Sequence, residues 1–599
     1  MSVASRVAAA VLRRDRHSPQ PPPPSPPSFD PATLEVLGEP QPAWTPERIK
    51  AGVAAARVAQ AEWKMSSFTQ RRMLMRTLLK FIVENQPNIV RVACRESGKT
   101  PVCAAFGEVL VTCEKLSWLI ANGEAVLQDE YRSAGSLVPH KRVHVEYRPC
   151  GVIGAIVPWN YPFHNVLNPV IAALMSGNAI VVKVSEYASW SPAYYGAVIK
   201  ACLEAVGAPV DLVQIITGCV ARACSCCCCA YASSFAHTPP ALASCFSSPP
   251  PPLSSRYGET GNGLVTSGVD KVIFVGSPGI GVRVMEAAAP SLTPVVLELG
   301  GKDPFVVCDD VTDVDGIVQT ALRGVYQNMG QNCAGPERFF VYEKVFDEFC
   351  DKAGAIVNKL STGPPLAATT PDCGAVAMGP KQIANYQRLV DDAVKKGAKV
   401  LAGGYVPKAG DALAAGSFYP PTVLVGVPEN ALIAQEEIFG PIMCVFKVKG
   451  NSDAEAVRMA NNCDFALSSC AFAKTAKRAK KVASQLNAGM SATNDLEGCT
   501  YMSQSLPFGG CGKSGFDRFA GPEGLRGMCN IRSVCEDRLG FLRTGIPPPL
   551  AYPAKGMGPG FATGLIAMTY GHGPRMKARG LWNVLLASAG VKPSGFKLD

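Results

Sequence analysis

The sequence lacks long apolar runs and is poor in histidine and in charge. No window of the 599 residues reaches the roughly 18 consecutive apolar residues that span a bilayer, so we expect no transmembrane helix. The six histidines form no H-E-x-x-H or comparable grouping, so the sequence predicts no metal site and gives no support for a metal-dependent reaction. Only 18% of the residues are charged and 47% are hydrophobic, which is enough apolar material for the large cores of a globular protein.

Regular cysteine spacing is also missing, although cysteine itself is abundant. The 23 cysteines do not follow the even spacing of a disulfide framework. Cys202 and Cys444 lie inside apolar runs, where a free thiol packs as a small hydrophobic side chain. The pattern favours a reducing, intracellular compartment.

Positive charge is concentrated at the two ends of the chain. Residues 1–29 carry four arginines against one aspartate, and residues 536–599 carry eight basic against three acidic residues, so the ends hold +8 of the net +10. The near-neutral middle leaves no electrostatic footprint for nucleic acid. We expect the C-terminal tail to contact an anionic membrane peripherally, or simply to aid solubility. The N-terminus resembles an organelle transit peptide, so an organellar or endomembrane-associated location is expected.

Short β-branched runs alternate with helical stretches through the middle of the chain. This alternation predicts a doubly wound parallel sheet with strands at 151–159, 178–185, 212–217 and 271–276. A second alternation begins at residue 294, with a helix expected around 314–328. It predicts a second α/β domain.

Residues 219–256 interrupt the pattern with Cys224, Cys226, Cys227, Cys228 and Cys229 followed by a proline-rich stretch. Adjacent cysteines cannot all reach one ion, whereas structural zinc sites use spaced pairs. We interpret the segment as a low-complexity insertion, with an unspliced piece of the gene as the preferred origin. A thiol or metal-binding module is the alternative.

Four stretches that are far apart in sequence carry residue types that suit a single active site. GQNCAG (330–335) places a cysteine in a small-residue loop, and ELGGK (298–302) ends an apolar strand with a carboxylate. PWNYP (158–162) holds an amide just past another strand, where it is suited to bind an oxyanion. EEIFGP (436–441) is again acidic and is followed by Gly-Pro.

Together these motifs resemble the NAD(P)-dependent aldehyde dehydrogenase superfamily over residues 40–540, apart from the insertion. GVIGAIVPWNYPFHN, TPVVLELGGKDPF, SLPFGG and the extended C-terminal tail look most like the plant family 22 group. The resemblance implies an α/β, aldehyde dehydrogenase-like fold with a Rossmann-type cofactor domain, an α/β catalytic domain and a small β oligomerisation flap.

The expected boundaries follow from this resemblance. They are a disordered proline-rich N-terminal segment at 1–29, a cofactor-binding domain at 30–130 and 150–297, a catalytic domain at 298–493, oligomerisation elements at 131–149 and 515–540, and a basic, apolar tail at 541–599. A homodimer or homotetramer is expected.

By the same resemblance, Cys333 is the nucleophile, Glu298 the general base and Asn160 the oxyanion-binding side chain. Cofactor contacts are expected at Trp159, Lys183, Glu186, Gly276, Ser277, Gly281, Glu437 and Phe439. The sequence departs from the family pattern in reading KVSE where K-P-[SA]-E is usual, and in a Pro278-Gly279 pair at the start of the cofactor helix.

These residues predict oxidation of an aldehyde to a carboxylate through a thiohemiacetal and a thioester on the cysteine, with hydride transfer to NAD. Glu186 would repel a 2′-phosphate, which favours NAD over NADP. The substrate is a small aldehyde, whose identity the sequence does not specify. The alternative is a catalytically impaired, membrane-associated scaffold with the same fold, since the insertion would obstruct the adenine pocket.

Overall fold

A computed structural model describes residues 27–39, 41–218, 258–496, 502–553 and 556–591. The predicted leader at the N-terminus and the cysteine-rich insertion lie outside these residues. The chain divides into two compact units, the first made of 1–127 with 148–530 and the second of 128–147 with 531–599.

Twenty strands are present in the described residues. They are β1 (Ser28–Phe29), β2 (Val36–Leu37), β3 (Glu130–Arg132), β4 (Lys141–Pro149), β5 (Val152–Ile156), β6 (Ala179–Lys183), β7 (Val213–Ile216), β8 (Lys271–Val275), β9 (Val295–Glu298), β10 (Asp303–Val307), β11 (Pro336–Tyr342), β12 (Lys399–Ala402), β13 (Thr422–Val425), β14 (Ile442–Val448), β15 (Phe465–Ala466), β16 (Cys470–Phe472), β17 (Ala492–Thr493), β18 (Cys511–Gly512), β19 (Gly515–Phe516) and β20 (Cys529–Asp537).

The helices fall between these strands. They are α1 (Pro46–Trp63), α2 (Phe68–Ser97), α3 (Pro101–Ala104), α4 (Val111–Leu127), α5 (Pro162–Met175), α6 (Ser191–Ala205), α7 (Glu259–Val265), α8 (Pro278–Ala288), α9 (Val314–Tyr326), α10 (Glu343–Val357), α11 (Pro380–Lys395), α12 (Leu432–Gln435), α13 (Asp453–Asn461), α14 (Ala476–Ala483), α15 (Gly521–Arg526), α16 (Gly558–Tyr570) and α17 (Gly573–Ser588). A π-helical turn, Ala105–Leu110, joins α3 to α4.

The first unit contains a six-stranded sheet of order β19-β9-β8-β5-β6-β7. The four strands predicted from the β-branched runs are β5, β6, β7 and β8, and all pair in parallel, which confirms the doubly wound prediction. β5 and β6 are buried at every residue, as expected of strands covered by helices on both faces. The strand order reverses between β5 and β8, so a crevice forms outside their carboxyl ends.

A seven-stranded sheet of order β12-β13-β14-β11-β10-β16-β17 forms the other half of the first unit. All neighbours pair in parallel except β12 with β13. Stacked phenylalanines fill its two faces, including Phe305 on Phe472 and Phe340 on Phe446. The predicted second α/β alternation is therefore confirmed.

A three-stranded sheet of order β20-β4-β3 contains the hairpin and late strand expected at 131–149 and 528–535. Its role in oligomerisation stays a prediction. β19, which belonged to the expected oligomerisation element, instead pairs antiparallel with β9 in the six-stranded sheet. Across the described ranges, every helix is too short or too polar to span a bilayer.

Candidate active site

Cys333 lies in a loop that follows α9 and a short 3₁₀ turn, Gln327–Gly330. Asn328 and Met329 have positive φ angles of 51° and 58°, which is why the helix expected over 314–328 ends at Tyr326. Gly330 also has positive φ, and a Cβ there would come within 2.1 Å of the Gly440 carbonyl oxygen. The turn therefore holds the GQNCAG loop directly against the EEIFGP loop.

The Cys333 thiol and the Glu298 carboxyl face the same cavity and interact electrostatically. Glu298 ends β9 and is buried, and its Oε1 accepts no hydrogen bond from any residue that the structure describes. Burial raises the pKa of Glu298 to about 7. Burial and the neighbouring Glu298 carboxylate raise the pKa of the Cys333 thiol well above its usual range. At neutral pH the Cys333 thiol is thus protonated. The Glu298 carboxyl has a pKa close to neutral, so part of it is ionised and can accept the thiol proton.

Asn160 follows β5 and faces the same cavity as Cys333 and Glu298. Its Oδ1 accepts from Asn165 Nδ2 at 3.1 Å, and its own Nδ2 donates to the Gln331 carbonyl at 3.2 Å. These two bonds fix which side of the amide carries the donors. One N–H of Asn160 remains available to a ligand in the cavity.

A buried ion pair that the sequence analysis missed supports this amide. Lys99 is fully buried, donates to the Asn160 backbone carbonyl at 2.7 Å and pairs with Glu108. Glu108 in turn accepts from the backbone N–H groups of Phe163 and His164 at the start of α5. The pair therefore ties the PWNYP loop to the π-helical turn.

A second buried ion pair anchors the EEIFGP loop. Lys302, the lysine of ELGGK, lies 2.7 Å from Glu337. Glu337 accepts from the backbone N–H groups of Ile438 and Phe439. Phe439 has a positive φ of 52°, a strained conformation that these bonds stabilise.

Glu437 and Phe439 lie on the rim of the cavity next to Cys333. Glu437 accepts from the Gly301 N–H at 3.0 Å, and burial raises the pKa of its carboxyl to about 8. A Cβ on Gly301 would come within 2.2 Å of the Cys333 carbonyl oxygen, so only glycine permits this approach. Phe439 meets Trp159 edge-to-face with ring centroids 5.6 Å apart.

The remaining predicted cofactor residues lie at the carboxyl ends of β6 and β8. Lys183 and Glu186 form an ion pair of 2.5 Å, and Gly276 and Ser277 connect β8 to α8. Ser277 is the N-cap and Pro278 the first helical residue, a position where proline is favourable. Gly281, also predicted to contact the cofactor, does not line the cavity. It is buried within α8, where a Cβ would lie 2.8 Å from Leu299.

The cavity that joins these groups has a volume of about 1260 Å³. This exceeds the roughly 300–1,000 Å³ typical of a pocket for one small ligand. It passes over the N-terminus of α8, where backbone N–H groups favour a phosphate, and reaches the Lys183–Glu186 pair. The residues present therefore fit a dinucleotide together with a small substrate.

Comparison with known proteins agrees with this geometry. An aldehyde dehydrogenase-like protein of Schizosaccharomyces pombe is 38% identical over 87% of this chain and 92% of its own. Glutarate-semialdehyde dehydrogenase of Pseudomonas aeruginosa is 32% identical over 84% of this chain and 93% of its own. An NAD⁺ complex of aldehyde dehydrogenase from Bacillus cereus superposes with a TM-score of 0.72 at 26% identity, covering 86% and 93% of the two chains. The sequence model of the aldehyde dehydrogenase family matches residues 22–229 and 252–534, and the chain belongs to that family.

Proposed function

We propose that this protein oxidises an aldehyde to the corresponding carboxylate with NAD as the hydride acceptor. The observation that carries the proposal is that the Cys333 thiol, the Glu298 carboxyl and the Asn160 amide face one cavity, with the thiol and the carboxyl close enough to shift each other's pKa. Bound NAD supplies the two-electron acceptor that side chains lack.

The residues divide the work as follows. Cys333 gives its proton to Glu298, and the sulfur forms a bond to the aldehyde carbon, whose oxygen becomes an alkoxide. The free N–H of Asn160 and the backbone N–H of Cys333 donate to that alkoxide. Loss of hydride to the NAD acceptor leaves the acyl group as a thioester on Cys333. Glu298 then releases to solvent the proton that it took from the thiol and, ionised again, removes a proton from the attacking water. The carboxylate leaves, and the sulfur regains a proton.

The choice of NAD over NADP rests on Glu186. Its carboxylate lies beside Lys183 at the end of β6, where the adenosine ribose of a dinucleotide would bind. A carboxylate there accepts from ribose hydroxyls and repels a 2′-phosphate. The ion pair with Lys183 reduces this repulsion without reversing its sign.

Loss of the nucleophile tests the whole proposal. Cys333→Ala should lower turnover of simple alkanals below detection while NAD binding, measured by calorimetry, stays within about twofold of wild type. NADH formation by this variant at the wild-type rate would show that another group performs the chemistry.

We further propose that the chain falls in the family 22 group. The quoted motifs support this assignment, as does the extension beyond residue 534, where the match to the family ends. The three-stranded sheet is suited to join two copies of the chain, giving a dimer or a tetramer.

We also propose that the second unit touches an anionic membrane. In this unit α16 and α17 pack closely, because Gly564 and Gly580 leave no room for a Cβ between them. Residues 538–591 contain no acidic residue. Trp582 on α17 is 60% exposed beside exposed leucines, as in helices that lie in a membrane interface. The basic residues Arg575, Lys577 and Arg579 precede it on the same helix.

A further inference from the structure

Part of the cavity lining comes from the π-helical turn (Phe106 and Gly107) and from α5 (Asn165 and Asn168), none of them a predicted cofactor residue, and we call this part of the cavity the arm. Arg323, in the last turns of α9 and ten positions before Cys333, lines this arm. Its guanidinium carbon lies 5.9 Å from the ring centre of Phe106, and its side chain is exposed. Arg323 is exposed and lies beside Phe106, so it belongs to the part of the arm that meets solvent.

The charges along the cavity are unevenly placed. Among the described residues that line it, the carboxylates lie at Cys333 or on the cofactor side: Glu298, Glu437, Glu186, and Glu259 on α7. The other three cations lie on the cofactor side too: Lys183 ends β6, Arg283 belongs to α8, and Lys381 precedes Gln382, whose Nε2 donates to the Ile438 carbonyl. In the part of the chain that the structure describes, the arm thus carries the Arg323 cation and no anion.

Side-chain amides line the same arm. Asn165, Asn168 and Gln327 all face the cavity. The Asn168 Oδ1 accepts a hydrogen bond from the buried Nζ of Lys115, so the amide oxygen is engaged and the Asn168 N–H groups are left to bind a ligand. A pocket with one guanidinium and several amide donors favours an anion.

We infer that the substrate is an aldehyde with a carboxylate at its far end, and that Arg323 is the residue that selects it. This inference rests on the proposed function, which supplies the aldehyde oxidation. A guanidinium binds a carboxylate through two parallel N–H bonds, a geometry that no neutral or cationic group reproduces. A single cation matches a singly charged carboxylate better than a doubly charged phosphate.

The test compares aldehydes of equal chain length on the full chain with NAD. The wild type should show kcat/KM about tenfold higher for the ω-carboxy aldehyde than for the neutral alkanal, and lower still for the ω-amino aldehyde, a tenfold step being about 1.4 kcal/mol. Arg323→Gln should remove about tenfold from the carboxy-to-neutral ratio, mainly through KM, because a contact with the far end of the substrate is the same in the ground state and in the transition state. Arg323→Lys should keep much of the preference.

Charge reversal and a control sharpen the result. Arg323→Glu should invert the order, so that the ω-amino aldehyde becomes the better substrate. Arg91→Gln, on the exposed side of α2 and outside the cavity, should leave all ratios unchanged. Circular dichroism confirms that each variant is folded.

Three outcomes would overturn the inference: equal use of carboxylated and neutral aldehydes by the wild type, an unchanged ratio in Arg323→Gln, or preference for a phosphorylated aldehyde. In each of these outcomes the protein still oxidises an aldehyde and forms NADH. Failure of the proposed function looks different, because no aldehyde of any charge would then yield NADH.

Discussion

Replacing Glu298 by glutamine separates the two halves of the proposed reaction. Glutamine has nearly the same shape, so the buried site stays filled, but it cannot take a proton from water. Attack by sulfur on the aldehyde needs only one proton transfer, which solvent can provide slowly. Hydrolysis of the thioester depends on the carboxylate at every turnover. We therefore expect an acyl-enzyme to accumulate in Glu298→Gln.

The magnitude follows from the position and the pKa of Glu298. A general base whose pKa lies near the working pH contributes roughly 10²–10⁴-fold in rate, and the pKa of Glu298 is about 7. The variant should thus lose about two to four powers of ten in steady-state kcat, or about 3–5 kcal/mol in activation free energy. In the wild type kcat should rise as pH increases through about 7, because the protonated carboxyl cannot accept a proton.

Stopped-flow absorbance of NADH measures both halves at once. The variant should give a burst of about one NADH per active site and then a slow phase, while mass spectrometry detects the acyl group on Cys333. A variant with no burst and no acyl adduct would show that solvent cannot replace Glu298 as the acceptor of the Cys333 proton, and would contradict the expected accumulation of acyl-enzyme. A steady-state rate equal to wild type would refute its role as base.

The same substitution has a measurable effect on stability. Because burial raises the pKa of Glu298 from 4.5 to about 7, the folded state holds more protons than the unfolded state between those values. Stability of the wild type therefore falls as pH rises through this window. The shift is worth about 3 kcal/mol, which glutamine avoids. Urea unfolding should show that the free energy of unfolding of the variant rises relative to that of the wild type between pH 5 and pH 8. If the two free energies change in parallel with pH, the raised pKa of a buried Glu298 is contradicted.

Three further predictions concern the surroundings of the site. Lys99→Met combined with Glu108→Gln, which leaves no unpaired buried charge, should lower kcat about tenfold by loosening the Asn160 loop, less than the 10²–10³-fold lost with a whole oxyanion donor; unchanged kcat in a folded double variant would refute this. Glu186→Gln should raise the NADP-to-NAD ratio of kcat/KM about tenfold by removing the charge that repels a 2′-phosphate, and a ratio that does not move would show that Glu186 does not select the cofactor. Deleting residues 546–599 should release the protein from phosphatidylserine vesicles in a salt-sensitive co-sedimentation assay, and absence of binding by the full chain would reject membrane contact.

The strands that build the cofactor crevice were predictable from the sequence. β5, β6, β7 and β8 are continuous β-branched runs because both faces are buried, and such runs are visible without coordinates. Cys333, Glu298 and Asn160 were located by their motifs, and the structure brings all three to one cavity. Their roles stay predictions until the variants are measured.

The supporting ion pairs were not predictable, for a physical reason. A lysine such as Lys99 or Lys302 looks in sequence like any exposed lysine, and burial becomes visible only when distant segments close over it. β19 was missed because two residues show no periodicity. Arg323 lies in a helix whose extent was predicted nearly correctly. The sequence does not show, however, which side chains of that helix line the cavity.

The protonated state of Cys333 has a consequence for the resting protein. Peroxides and electrophiles react with thiolates, and a thiol held protonated by burial and nearby carboxylates reacts slowly with them. The exposed thiols of Cys511 and Cys535 meet such reagents first. The arrangement that delays ionisation of the Cys333 thiol therefore also protects it from oxidation and alkylation, and the proposed mechanism depends on this thiol remaining intact until substrate binds.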